Sequence, residues 1–299
     1  MEVLSNNKIR VALIGLALVV VSLIAWTFFS SASKATLPQQ AIHDVIYDDA
    51  HPKYCIGDIY IPSHTEGTAL PAVIVVHGGG WDAGDKNDGS TGLVVSKLVE
   101  SGFAVFDINY RLQNEDGKYP NNLDDVQQAC KFFQTNGPTY GIDPKNISAL
   151  GISAGAHLAL LAAYTENNKN LNLKSVVAIA PATDLTKLFT PTITKYFPAN
   201  DVVDREQASP LAHISSAVPT LLMHGTSDST IPFSQSQLLS DNLSAHHKPV
   251  KLIAFKNADH NFFLIPGREQ ERANVEIIRF LKSPLSATNE LPDSTTSIY

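Results

Sequence analysis

Gly151-Ile152-Ser153-Ala154-Gly155 decides how this chain reads. It directly follows the short apolar run Ile147-Ser148-Ala149-Leu150. It then opens an Ala- and Leu-rich segment from Ala156 to Ala163. The order is strand, G-x-S-x-G, helix. In that setting a serine sits on a tight strand-to-helix turn with its oxygen exposed. A serine hydroxyl is a weak nucleophile until a base takes its proton. The motif therefore carries chemistry only beside a base, an acid that orients the base, and donors for a developing oxyanion.

Working outward, the donors come first. Pro71-Ala72-Val73-Ile74-Val75-Val76 is apolar and β-branched, the pattern of a fully buried strand. It runs into His77-Gly78-Gly79-Gly80-Trp81. Three consecutive glycines let a backbone turn its N–H groups outward. The expected donors are the amides of Gly79, Gly80 and Ala154. Trp81 either lines a pocket there or packs beside the loop.

The acid and base are expected later in the chain. Val218 to Gly225 reads as another buried strand, and Asp228 lies on the loop just beyond it. Val250 to Phe255 reads as the next strand, with His260 five residues past its end. Ligands of open α/β sheets bind outside such strand ends. His260 is read as the base for Ser153, and Asp228 as the group that holds its tautomer and stabilises its charged form. Other residues compete. His157 shares the helix that follows Ser153 and is expected to pack or cap there. His224 sits in a strand end, His77 in the glycine loop, and His246 and His247 in an expected helix. Asp259 neighbours His260 in sequence, but adjacent side chains rarely face each other.

HGGGW, Asn109-Tyr110-Arg111-Leu112, the segment from Gly141 to Ile147, GISAG, GTSDSTIP and the late histidine occur in one order. That combination resembles the carboxylesterase/lipase group of the α/β-hydrolase superfamily. Within it the chain is similar to the branch of hormone-sensitive-lipase-like and acetyl-xylan/feruloyl esterase-like enzymes. The resemblance spans roughly residues 41–282. One departure is Ile152, where related chains often carry Asp or Glu, a position outside the triad. The resemblance implies an α/β-hydrolase fold: a mostly parallel eight-stranded sheet flanked by helices, with a small cap. It implies a serine carboxylic-ester hydrolase that forms an acyl-enzyme on small or short-chain esters. An amide or peptide hydrolase on the same triad is the alternative enzyme. A non-catalytic binding module on the same fold is the alternative of another class.

The remaining sequence adds organisation. Residues 1–10 are polar, and residues 11–29 carry no charged side chain. As a helix, that run spans about 28 Å, close to one bilayer core. Basic residues precede it and Trp26, Phe28 and Phe29 end it, which suits an anchor with a cytoplasmic N-terminus. The catalytic domain is then expected in the periplasm or outside the cell. The competing reading is a signal peptide cleaved among the small residues from Ser31 to Ala35, giving a secreted enzyme. Residues 30–40 read as a tether, 41–282 as the catalytic domain, and 283–299 as a disordered tail.

Residues 184–216 combine prolines with Leu188, Phe189, Tyr196, Phe197 and Leu211. They stand where related hydrolases insert a cap. Phe189 and Phe197 are the candidate pocket residues from this lid. Arg111 is expected to tie loops together through Asp124 or Asp125. Cys55 and Cys130 are expected unpaired and buried. No C-x-x-C or H-x-x-x-H pattern occurs, so no metal or other cofactor is expected. The formal net charge of −7 gives no nucleic-acid footprint. The expected partners are a small ester and a membrane.

Overall fold

The computed structural model of the protein describes residues 36–89, 91–164, 171–197, 202–285 and 297–298. Thr36–Leu37 is extended and falls with residues 65–67 in a unit separate from the rest. The apolar run 11–29 lies outside the described residues. Among the described residues no helix is long and apolar enough to cross a membrane.

The main unit alternates strands and helices. Its strands are β1 (Gln40–Ile46), β2 (Ile56–Ile61), β3 (Leu70–Val76), β4 (Ala104–Ile108), β5 (Ile142–Ile152), β6 (Val176–Ile179), β7 (Thr220–Gly225), β8 (Val250–Phe255) and β9 (Ser297–Ile298). Its helices are α1 (Gly92–Glu100), α2 (Asn121–Asn136), α3 (Ala154–Tyr164), α4 (Pro191–Tyr196), α5 (Val202–Gln207), α6 (Ser234–Ala245) and α7 (Arg268–Lys282). The strands form one sheet in the order β9-β8-β7-β6-β5-β3-β4-β2-β1. β1 with β2, and β2 with β4, are antiparallel; the other neighbours are parallel.

Eight of these strands match the expected sheet. The ninth, Ser297–Ile298, pairs with Ile253 and Ala254 on the outer edge of β8. An unpaired strand edge presents a row of free N–H and C=O groups, and even two residues cover part of it. Residues 286–296 and 299 of the 283–299 tail lie outside the described residues. His246 and His247 fall just past the end of α6 rather than within it.

Burial on both faces explains the continuous apolar strands. In β3, Ala72, Ile74 and Val76 enter one core cluster while Val73 and Val75 enter the other. The first cluster is completed by α2, α3 and α6, the second by α1 and α7. All eleven residues of α3 are buried, as its almost wholly apolar sequence requires. The two cysteines are free and buried.

The functional end is set by topology. β3 has β4 on one side and β5 on the other, so the strand order switches direction there. Crevices at such switch points lie beyond the C-terminal strand ends. The glycine loop leaves β3 at that end, and Ser153 leaves β5 beside it; Val76 and Gly151 are register partners.

Candidate active site

Ser153 occupies the single residue between β5 and α3, with φ of 54°. A non-glycine residue in this region is strained, and here the turn holds it from both sides. The Ser153 amide donates to the Ile179 carbonyl at 2.8 Å, and the Ser153 carbonyl accepts from the His157 amide at 3.1 Å. The turn closes only because Gly155 has no side chain. A Cβ there would stand 2.2 Å from the Val76 carbonyl oxygen and 2.3 Å from that of His77. The second glycine of G-x-S-x-G thus seats the start of α3 against the end of β3.

The structure brings the three separated residues together. Ser153 Oγ lies 2.9 Å from His260 Nε2, and His260 Nδ1 lies 2.7 Å from Asp228 Oδ2. Asp228 is buried and its other oxygen is also occupied. Oδ1 accepts the amides of Thr230 at 2.8 Å and Ile231 at 2.9 Å. Oδ2 has a second imidazole partner, His224 Nε2 at 3.0 Å. Burial pushes the Asp228 carboxyl upward, but the hydrogen bonds from His224, His260 and Ile231 and the charge of His260 outweigh it. They hold the group well below the usual carboxylate range. Asp228 therefore stays ionised where imidazoles titrate, and it fixes the His260 proton on Nδ1. Nε2 then faces Ser153 with a free lone pair, the arrangement in which it can accept the hydroxyl proton.

The competing histidine is settled by its environment. His157 is fully buried, and its Nε2 donates to the Ala208 carbonyl at 2.7 Å. Burial lowers its pKa to about 4, the hydrogen bond to Ala208 opposing that in part. It is a neutral packing residue that ties α3 to the lid. Asp259 is exposed and caps the Asn261 amide at 2.9 Å.

Ser153 and His260 open into a cavity of about 810 Å³ that is also lined by Gly78, Gly79, Gly80 and Trp81. Ala154 opens α3, so its amide belongs to the first turn, which has no intrahelical acceptor. Gly79 and Gly80 have positive φ, 114° and 60°. At Gly79 a Cβ would stand 1.9 Å from the Ala83 carbonyl oxygen. Gly79→Ala is therefore expected to displace the loop and, given the oxyanion role expected of the Gly79 amide, to lower kcat/KM about 10²- to 10³-fold. Steady-state kinetics on a folded variant checks this, and activity within threefold of wild type contradicts it.

The lid differs from expectation in detail. Trp81 does both things asked of it: it lines the cavity and packs edge-on against His157 and Phe197, at 5.2 and 6.3 Å between ring centres. Phe197 is buried behind Trp81 and against Tyr119, outside the cavity lining. Phe189 is 67% exposed, with the Arg205 guanidinium over its ring, and also misses the cavity. The lid residues that reach the cavity are Thr190 and Ile193. Arg205 explains the geometry. It is buried with no carboxylate partner among the described residues and donates to the carbonyls of Phe197, Leu185 and Leu188. It thereby fixes the path of the lid backbone. Across the cavity the wall is Ile231, Asn261 and Leu264. Arg111 takes the expected structural role through Asp125, with Nε and Nη2 on the carboxylate at 2.7–3.0 Å.

With this geometry in view, kinship becomes specific. The sequence pattern of the BD-FAE family matches residues 57–243. The chain belongs to the BD-FAE family. The match takes in the glycine loop, Ser153 and Asp228, and it agrees with membership of the α/β-hydrolase carboxylesterase group. Esterase LipQ of Mycobacterium tuberculosis is 31% identical over 68% of this chain and 53% of its own length. The isoprenylcysteine alpha-carbonyl methylesterase ICME of Arabidopsis thaliana is 26% identical over 79% of this chain and 58% of its own. This BD-FAE member thus spans just over half the length of these curated relatives. Among solved structures, a truncated carbohydrate esterase from gut microbiota aligns with a TM-score of 0.69 and 22% identity. It covers 84% of this chain and 97% of that one. At that identity the likeness establishes the α/β-hydrolase fold.

Proposed function

We propose that this BD-FAE member is a serine carboxylic-ester hydrolase with Ser153 as nucleophile. The observation that carries the reading is the unbroken chain Ser153–His260–Asp228 opening into the glycine-lined cavity. The esterase names of its relatives support it. Ser153 Oγ attacks the ester carbonyl as His260 Nε2 takes its proton. The carbonyl oxygen, now negative, meets the amides of Gly79, Gly80 and Ala154. His260 then protonates the departing alcohol, leaving the acyl group on Ser153. Water, deprotonated by His260 Nε2, attacks the acyl-serine; the bond to Ser153 Oγ breaks, His260 returns the proton to that oxygen, and the acid leaves.

The cavity of about 810 Å³ has room for a small ester, and small or short-chain esters are the proposed substrates. A series of p-nitrophenyl esters from acetate to laurate tests this, with acetyl-xylan, a methyl ferulate and matched p-nitroanilides alongside. The expected result is turnover of the short esters and only background turnover of the anilides. Comparable rates on the anilides contradict the ester reading. The apolar run 11–29 supports anchoring of the catalytic domain at a membrane, on the periplasmic or extracellular side. Retention of the full chain in membranes washed with alkaline carbonate is expected, and release of all activity contradicts it.

A further inference from the structure

The hydrogen-bond network around Asp228 does not end at His260. His224, at the penultimate position of β7, is fully buried and contacts the same carboxylate oxygen that holds the catalytic imidazole. Its Nε2 faces two oxygen acceptors, Asp228 Oδ2 at 3.0 Å and the Ile231 carbonyl at 2.9 Å. Neither of these can donate, so Nε2 carries the proton. Its Nδ1 lies 2.7 Å from Ser236 Oγ on α6, which fixes the ring from behind. We infer that His224 is a positioning residue for the triad: it pins Asp228 Oδ2 in line with His260 Nδ1 and shares that oxygen's charge.

The geometry leaves little alternative use for the ring. Oδ1 is already held by the Thr230 and Ile231 amides, which fix one edge of the carboxylate. Without a donor from His224, His260 would be the one hydrogen-bond partner left to Oδ2 among the described residues. A buried acceptor that loses one of two donors concentrates its charge on the remaining one. Among the described residues, the ionisable groups that face Asp228 are His224 from β7 and His260 from the loop after β8. Asp259 on that loop turns instead to the Asn261 amide, and α6 contributes the uncharged Ser236.

The inference rests on Ser153 as nucleophile, and its test separates the two. His224→Leu removes the donor at similar volume, whereas His224→Gln keeps an N–H near the position of Nε2. For the folded His224→Leu variant, kcat should fall roughly 10- to 100-fold, the range of a hydrogen bond to a charged group. KM should stay within about twofold. The acid limb of kcat/KM should move to higher pH, because the Asp228 charge no longer shared with His224 favours a cation at its remaining partner. His224→Gln should restore the limb and most of kcat. If His224→Leu does not fold, Ser236→Ala serves: it frees Nδ1 and should shift the limb in the same direction.

An unchanged limb in the folded variants overturns the inference, whether kcat is unchanged or falls without rescue by His224→Gln. Loss of the nucleophile reading looks different: wild-type protein would then hydrolyse no faster than Ser153→Ala.

Discussion

Ser153→Ala is expected to lower kcat on a short p-nitrophenyl ester by at least about 10⁴-fold while leaving the fold intact. The size follows from what the hydroxyl does. Without Oγ no acyl-enzyme forms, and His260 has no proton to accept. Residues of one triad act as a unit, so losing the nucleophile removes most of what the whole constellation contributes. Residual rate then comes from the oxyanion donors and the cavity. The fold should survive, since the turn is held by the Ser153 backbone and the close approach at Gly155, not by the hydroxyl. The melting temperature of the variant should lie within a few degrees of wild type. A variant that keeps a tenth of the wild-type kcat would remove Ser153 from the chemistry.

Asp228→Asn is expected to cost about 10³- to 10⁴-fold in kcat with little change in KM. Asp228 is surrounded by four donors: two backbone amides on Oδ1 and two imidazoles on Oδ2. An asparagine has one acceptor oxygen and one donor NH₂ of nearly the same shape. The backbone amides cannot reverse, so the asparagine oxygen stays with Thr230 and Ile231. Its NH₂ then faces His224 and His260. To accept that donor, His260 must move its proton from Nδ1 to Nε2. The proton then sits opposite Ser153 Oγ, and the base is blocked. Ring-nitrogen chemical shifts should report the changed His260 tautomer beside the fall in kcat. A variant within tenfold of wild type would mean that Asp228 does not set the tautomer.

Much of this site could be read from the sequence, and the reasons are local. The run Pro71–Val76 carries its burial in its composition, and the glycines after it announce a loop. G-x-S-x-G between a strand and an apolar helix has few structural solutions. Asp228 and His260 were identifiable because each follows a buried strand by a few residues. The lid was less legible. Phe189 and Phe197 draw attention as large apolar residues, yet composition does not say which way they point. Their directions depend on Arg205, which the sequence pattern does not single out and which is buried among three backbone carbonyls.

His224 shows a different limit. In sequence it ends an apolar strand and looks like a core histidine, which by burial it is. Its contact with Asp228 follows from the turn after Gly225, which folds the loop back so that residues four apart meet. The short strand at Ser297–Ile298 was invisible for another reason. Two residues carry no alternation, and only the open edge of β8 gives them a partner.

The central claim is that Ser153 is the nucleophile of an ester hydrolase. Intact-mass and peptide mass spectrometry after reaction with a fluorophosphonate tests it most directly. The account predicts one phosphonyl group per chain, located on Ser153, with loss of ester hydrolysis in step with labelling. Wild-type protein that hydrolyses esters while Ser153 stays unlabelled, or label placed on another residue as activity is lost, would contradict it.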